Sequence, residues 1–128
     1  MDDLKQLVEV TFPAEAVQTN QESLDLCGSD EACSLWFMCL TKRANEAILR
    51  RDAVVVAAHF EFFAAQLAVA GPDVPSIIDV SYVENLLSHI RKESERWGWN
   101  LMPEILQKYF EAFWAVIAPW RMELLRKS

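Results

Sequence analysis

The sequence predicts an all-α fold: a single compact bundle of five or six helices, spanning residues 1–128 as one domain, with a central apolar helix at about 53–70. Three observations carry this. Apolar residues recur at three- and four-residue spacing along most of the chain, whereas strand alternation and hairpin turn pairs are absent. With 128 residues, 52% of them hydrophobic, the chain is long enough to remove about two thirds of its unfolded surface from water without metals or disulfides. Only 3 Gly and 5 Pro interrupt it, and a 24% share of charged residues completes a balance that excludes disorder and loop-rich secreted scaffolds.

Asp2 or Asp3 caps a first helix that runs to about Phe12, presents Leu4, Leu7 and Val8, and is interrupted by Pro13. A short second helix occupies residues 14–26, with Thr19, Asn20 and Gly28 marking irregular stretches. Ser29, Asp30 and Glu31 then open a long helix. Its stripe of Cys33, Trp36, Phe37, Leu40, Ala44, Ala47 and Ile48 faces the core, leaving Lys42, Arg43, Glu46 and Arg50 to solvent.

Asp52 caps the central helix, which stops at Gly71-Pro72. That helix is apolar nearly all round, with Val54, Ala58, Ala65 and Val69 toward one side and Val56, Phe60, Phe63 and Leu67 toward another, a pattern expected at the middle of a bundle. Its length is at the lower limit for a bilayer and Glu61 sits mid-length, so a membrane span is rejected. Asp73 caps the next helix, with Pro75 in its first turn; Ile77, Val80, Val83, Leu86, Leu87, Ile90 and Trp97 share one face, and it ends near Gly98. Pro103 starts the last helix, whose stripe of Ile105, Leu106, Tyr109, Phe110, Phe113, Val116, Ile117 and Trp120 meets Pro119, where a kink or break is expected.

The net charge of −7 argues against nucleic acid as a partner, because a phosphate backbone is bound by neutralising it. Residues 1–31 hold eight acids, Asp2, Asp3, Glu9, Glu15, Glu22, Asp25, Asp30 and Glu31, against Lys5 alone, and so carry the whole of that charge. Such a segment attracts a basic protein surface at range. The competing reading is that acids near helix N-termini favour the helix dipole and keep the chain soluble.

Cys27, Cys33 and Cys39 are odd in number and form no CxxC pair, as reduced cytoplasmic thiols would. The opening Met-Asp-Asp-Leu-Lys lacks the basic and apolar regions of a signal peptide, so export by that route is not expected. No metal or cofactor is expected: Glu84 and His89 are five apart and Cys33 and Cys39 six apart, spacings that splay each pair on a helix. The isolated glycines offer no phosphate cradle, and no serine is flanked by glycines as a nucleophile. An enzyme is held open only by His59, His89 and Glu61. Glu61 reads as a general acid or base if buried, and otherwise as half of an internal salt bridge, for example to Arg43 or Arg91, or as an exposed edge of its helix.

The five tryptophans include Trp97-Gly98-Trp99 at an expected helix terminus. Trp99, and Trp114 lying off the core stripe that holds Trp120, are the candidate exposed anchors for a partner. In the alternative they cap the bundle, each N–H bonded to a loop carbonyl.

Three stretches carry a resemblance: Phe12-Pro13, Phe60-Glu61-Phe62-Phe63, and Ile78-Asp79-Val80-Ser81-Tyr82-Val83-Glu84-Asn85-Leu86-Leu87. Across residues 12–90 the chain resembles a small family of bacterial all-helical proteins found beside toxin genes, several of them read as immunity proteins. The resemblance implies a compact cytoplasmic bundle that binds and blocks one cognate protein, and it transfers no catalytic residue. Glu84-Asn85 suits either recognition or the knitting together of neighbouring helices. The resulting expectation is a non-enzymatic inhibitor, an immunity protein or antitoxin, whose acidic segment covers a toxin or effector with a basic surface, a nuclease cleft suiting it especially. Neither nucleic acid, membrane nor cofactor enters this reading. The alternative is a helical adaptor or regulatory module, for instance a homodimer whose tryptophans and apolar helix edge form the interface.

Overall fold

The computed structural model describes residues 2–70, 82–88 and 90–126, which contain helix and turn and no strand. Among the described residues seven α-helices follow in order: α1 (Asp2–Thr11), α2 (Pro13–Cys27), α3 (Ser34–Leu49), α4 (Ala53–Ala70), α5 (Lys92–Leu101), α6 (Glu104–Ile117) and α7 (Pro119–Arg126), with a 3-10 turn at Val83–Asn85 between α4 and α5. The count exceeds the expected five or six because Pro119 starts a helix of its own instead of kinking α6. At the bend Ala118 lies at φ −144 and ψ 70, off helical geometry.

Local chemistry accounts for most boundaries. Pro13 opens α2 at the position where its missing N–H costs nothing, and Gly28, at φ 74, closes the helix by turning left-handed and donating its N–H to the Leu24 carbonyl. Between α2 and α3 the Ser29 carbonyl accepts the Ser23 hydroxyl at 2.6 Å, while the Ser29 hydroxyl accepts the Glu31 N–H at 3.1 Å. That turn delays α3 from the expected Ser29 to Ser34. Asp52 caps α4 as its position suggested, with Oδ1 accepting the Val55 N–H at 3.3 Å.

The middle of the bundle is α3, not α4. Nine of the 16 residues of α3 are buried, including Trp36, Phe37, Leu40, Ala44, Ala47 and Ile48, and it packs against α2, α4 and α5. On α4 only the side bearing Val56, His59, Phe60, Phe63 and Leu67 is buried. The opposite side is in solvent, with Val54 81% and Val69 87% exposed and Ala58, Glu61 and Ala65 exposed between them. An apolar side makes burial favourable; it does not supply the neighbour that buries it.

Of the long helix expected from Asp73 to Gly98, residues 82–88 and 90–91 are not α-helical and only the part from Lys92 onward is formed, while Asp73, Pro75, Ile77 and Val80 lie outside the described residues. Residues 82–88 are an irregular turn in which Leu87 takes a left-handed φ of 65, and α5 begins at Lys92 after the extended Arg91. Tyr82, Val83, Leu86 and Leu87 are nonetheless fully buried, so the apolar spacing that suggested a helix belongs to a buried loop. Gly98 lies within α5 rather than at its end. A Cβ there would stand 2.7 Å from Leu87 Cδ2 and 3.1 Å from Ile48 Cδ1, so glycine lets α5 press onto the loop and α3.

Candidate functional site

The fold divides the acidic segment. Asp2 opens α1 and Asp3 is exposed on it. Glu9, from α1, meets Asp30 and Glu31, from the turn before α3, in a cleft of about 310 Å³ that is also lined by Lys5, Gln6 and Ala32. Lys5 is the one base there, and its Nζ lies 5.5 Å over the Trp36 ring. Asp25, exposed on α2, accepts a hydrogen bond from Gln21 at 2.9 Å. Among the described residues Asp3, Glu9, Asp25, Asp30 and Glu31 form no ion pair. Glu22 is different. Its carboxylate takes Lys42 at 2.8 Å and Arg43 at 3.2 Å, tying α2 to the face of α3 that had been assigned to solvent.

Neither of the two tryptophans expected as exposed anchors stands exposed. Trp99 is 7% exposed and stands 5.7 Å from the Phe110 ring. Trp114 is half-buried and donates its indole N–H to the Glu84 carbonyl at 3.1 Å, which is the capping alternative. The exposed indole is Trp120, at 62%, beside Val116 at 82% and Ile117 at 60%. Trp120 belonged to the core stripe only if the helix continued through residue 118. The break at Pro119 resets the helical phase, and that proline was the available signal.

A buried loop must find partners for its backbone groups, and the Tyr82–Ser88 stretch finds them on side chains of three helices. From α3, Thr41 Oγ1 lies 3.4 Å from the Tyr82 carbonyl, while Asn45 donates to the Asn85 carbonyl at 3.1 Å and accepts the Leu87 N–H at 2.8 Å. Trp114 holds Glu84 from α6, and from α7 Arg121 donates to the Leu87 carbonyl at 2.9 Å. The Arg121 guanidinium also sits 4.2 Å over the Trp114 ring and 3.5 Å from Glu95. The Glu84 and Asn85 carbonyls thus help tie α6 and α3 to the loop. The clamped loop lines two clefts that share Asn85 and Ser88: one of about 350 Å³ beside Met38, Leu49 and Ile90, and one of about 500 Å³ beside Phe113, Trp114 and Trp120. The sequence reading missed Asn45 and Arg121. Asn45 was detectable as a polar residue amid the apolar spacing of α3, since a buried amide must be satisfied.

His89 lies outside the described residues, and the remaining titratable candidates do not assemble into a catalytic group among the described residues. Glu61 is exposed, the last of its three readings. Burial, followed by Glu22, pushes the Cys39 thiol up to about 11, leaving it protonated and weakly nucleophilic at neutral pH. His59 is wholly buried, stacked 4.3 Å from the Phe12 ring, with Glu15 at 3.9 Å, beyond hydrogen-bond reach. Burial lowers its pKa below 6.5, and the Glu15 charge opposes this only in part.

His59 therefore binds its proton more readily in the unfolded chain. The stability it contributes is full above pH about 6.5 and is lost as the pH falls through the folded-state value. Between pH about 7.5 and about 5.5 the wild type is expected to lose more Tm than His59→Leu, which cannot titrate. Equal losses in thermal melts would remove His59 from the pH response.

No group of three or more His, Cys, Asp and Glu among the described residues is arranged to hold a metal ion. No described helix is long and apolar enough to cross a membrane. No curated protein and no solved structure matches the chain. A family model described as "Domain of unknown function (DUF7674)" matches residues 4–115. That match runs from α1 through most of α6 and takes in both the acidic cleft and the clamped loop, so the chain belongs to the DUF7674 family.

Proposed function

We propose that this protein is a non-enzymatic inhibitor, an immunity protein or antitoxin, that neutralises a cognate bacterial toxin of basic surface in the cytoplasm. The observation that supports this reading is the convergence of Glu9 with Asp30 and Glu31 in one cleft against Lys5. Carboxylates that form no ion pair among the described residues project a field that a basic surface meets with complementary charge, which speeds encounter and suppresses wrong partners. A nuclease suits such an inhibitor, because its own cleft is positive to hold phosphate. The resemblance of residues 12–90 to bacterial all-helical proteins read as immunity proteins supports the same reading, and no cofactor enters it.

The test is the product of the reading frame beside this one in its genome. Expressed alone it is expected to arrest growth. Co-expression of this protein should relieve the arrest, and the two should purify together in a fixed ratio. Undiminished arrest, or a neighbouring product that never binds, overturns the proposal.

A further inference from the structure

A cleft of about 210 Å³ lies between α5 and α7, and its charge is opposite to that of the whole chain. Lys92 and Arg96 line it from α5 and Arg121 from α7, three cations against the single carboxylate of Glu95. Glu95 is held by Arg121 at 3.5 Å and also feels the charge of Lys92, so one carboxylate already serves two cations. Neither Lys92 nor Arg96 forms an ion pair among the described residues. Four residues apart, they share a face of α5, where like charges repel unless an anion sits between them. The other acids of these two helices, Glu93 and Glu123, do not line the cleft. Arg121 is its buried member, with a side chain 10% exposed. The contacts to the Leu87 carbonyl and to Glu95 both leave from Nη2, and Nε and Nη1 donate to no described residue. A nearly buried guanidinium with uncommitted N–H groups calls for an acceptor. Trp120, exposed, and Leu124 supply an apolar wall from α7.

We propose that this cleft binds a small phosphate monoester whose ester group is aromatic. Charge sets the head group: the cationic surplus of the lining matches the nearly two negative charges of a phosphate monoester at neutral pH and exceeds the single charge of a carboxylate. Its oxygens accept charge-assisted hydrogen bonds from the planar guanidinium groups of Arg96 and Arg121 and from the Lys92 ammonium. The indole of Trp120 sets the rest, because an aromatic ring stacks on it while Leu124 excludes water beside it. The volume sets the size. It falls below the roughly 300 Å³ that encloses a drug-sized ligand, and so admits a single ring with its phosphate. This site is independent of the proposed inhibition.

The probe is phenyl phosphate, titrated into the full chain at low salt and followed by nitrogen–proton correlation NMR. The Trp120 indole N–H and the α5 amides around Lys92 and Arg96 are expected to shift with a Kd of about 1 mM or tighter. Lys92→Gln and Arg96→Gln should each raise that Kd about fivefold or more. Circular dichroism should stay unchanged in both, because these side chains are exposed. Trp120→Ala should reduce phenyl phosphate to the affinity of inorganic phosphate, since the ring then has nothing to stack on. Benzoate, with one negative charge, and benzylamine, with a positive one, should bind at least about tenfold more weakly than phenyl phosphate. Absence of shifts at these groups up to about 10 mM phenyl phosphate overturns the proposal. Binding that all three variants leave unchanged is adventitious attachment elsewhere and overturns it too. Benzoate or benzylamine binding as tightly as phenyl phosphate overturns the assignment of the ligand.

Discussion

Arg121→Ala is expected to lower stability by about 3–5 kcal/mol, because one side chain is deleted from three buried arrangements at once. The guanidinium donates to the Leu87 carbonyl at 2.9 Å, pairs with Glu95 at 3.5 Å, and lies 4.2 Å over Trp114 and 5.3 Å over Phe110. Without it the Leu87 carbonyl loses its donor, and Glu95 loses the stronger of the two cations, Arg121 and Lys92, that oppose the effect of burial on its carboxyl. The left-handed Leu87, sustained by Arg121 and Asn45 together, loses one of its two supports. A fall of about 10–20 °C in Tm corresponds to this loss. Arg121→Met should cost less, since it refills the space over Trp114 and forfeits only the polar contacts. A wild-type denaturation midpoint for Arg121→Ala would mean that the loop holds its shape without α7.

Neutralising the acidic cleft with Glu9→Gln, Asp30→Asn and Glu31→Gln together is expected to slow association with the proposed basic partner by about tenfold or more at low salt. Dissociation should change far less, because charges at a rim act mainly on encounter. Wild-type association should itself fall as salt rises and the attraction is screened beyond about 8 Å, whereas the triple variant should be nearly indifferent to salt. Glu22→Gln is the contrasting variant. Its carboxylate is held by Lys42 and Arg43, so association should be unaffected and stability should change by about 1 kcal/mol or less. Stopped-flow rates that leave the triple variant at the wild-type value would return these acids to the role of a solvated face.

The residue pattern by itself determined every feature governed within a turn or two of chain: the helical class, the helices around residues 2–11, 34–49 and 53–70, the Asp52 cap, and the interruptions at Pro13 and Pro119. These depend on capping chemistry, on the missing N–H of proline and on 3.6-residue periodicity, all of which a linear sequence displays. Which helix lies in the middle, which tryptophan meets solvent and which carboxylates pair within the chain were decided only by the tertiary structure. Val54 and Val56 are equally apolar, yet α3 covers one side of α4 and no described helix covers the other. Tyr82–Ser88 is a loop because side chains as distant in sequence as Asn45, 42 residues before Leu87, supply hydrogen bonds that a helix would have made within itself. Glu9 reaches Asp30 and Glu31 only once α1 has folded back beside the turn before α3. Burial and charge pairing depend on who the neighbour is, and periodicity describes the side a helix offers without naming what will meet it.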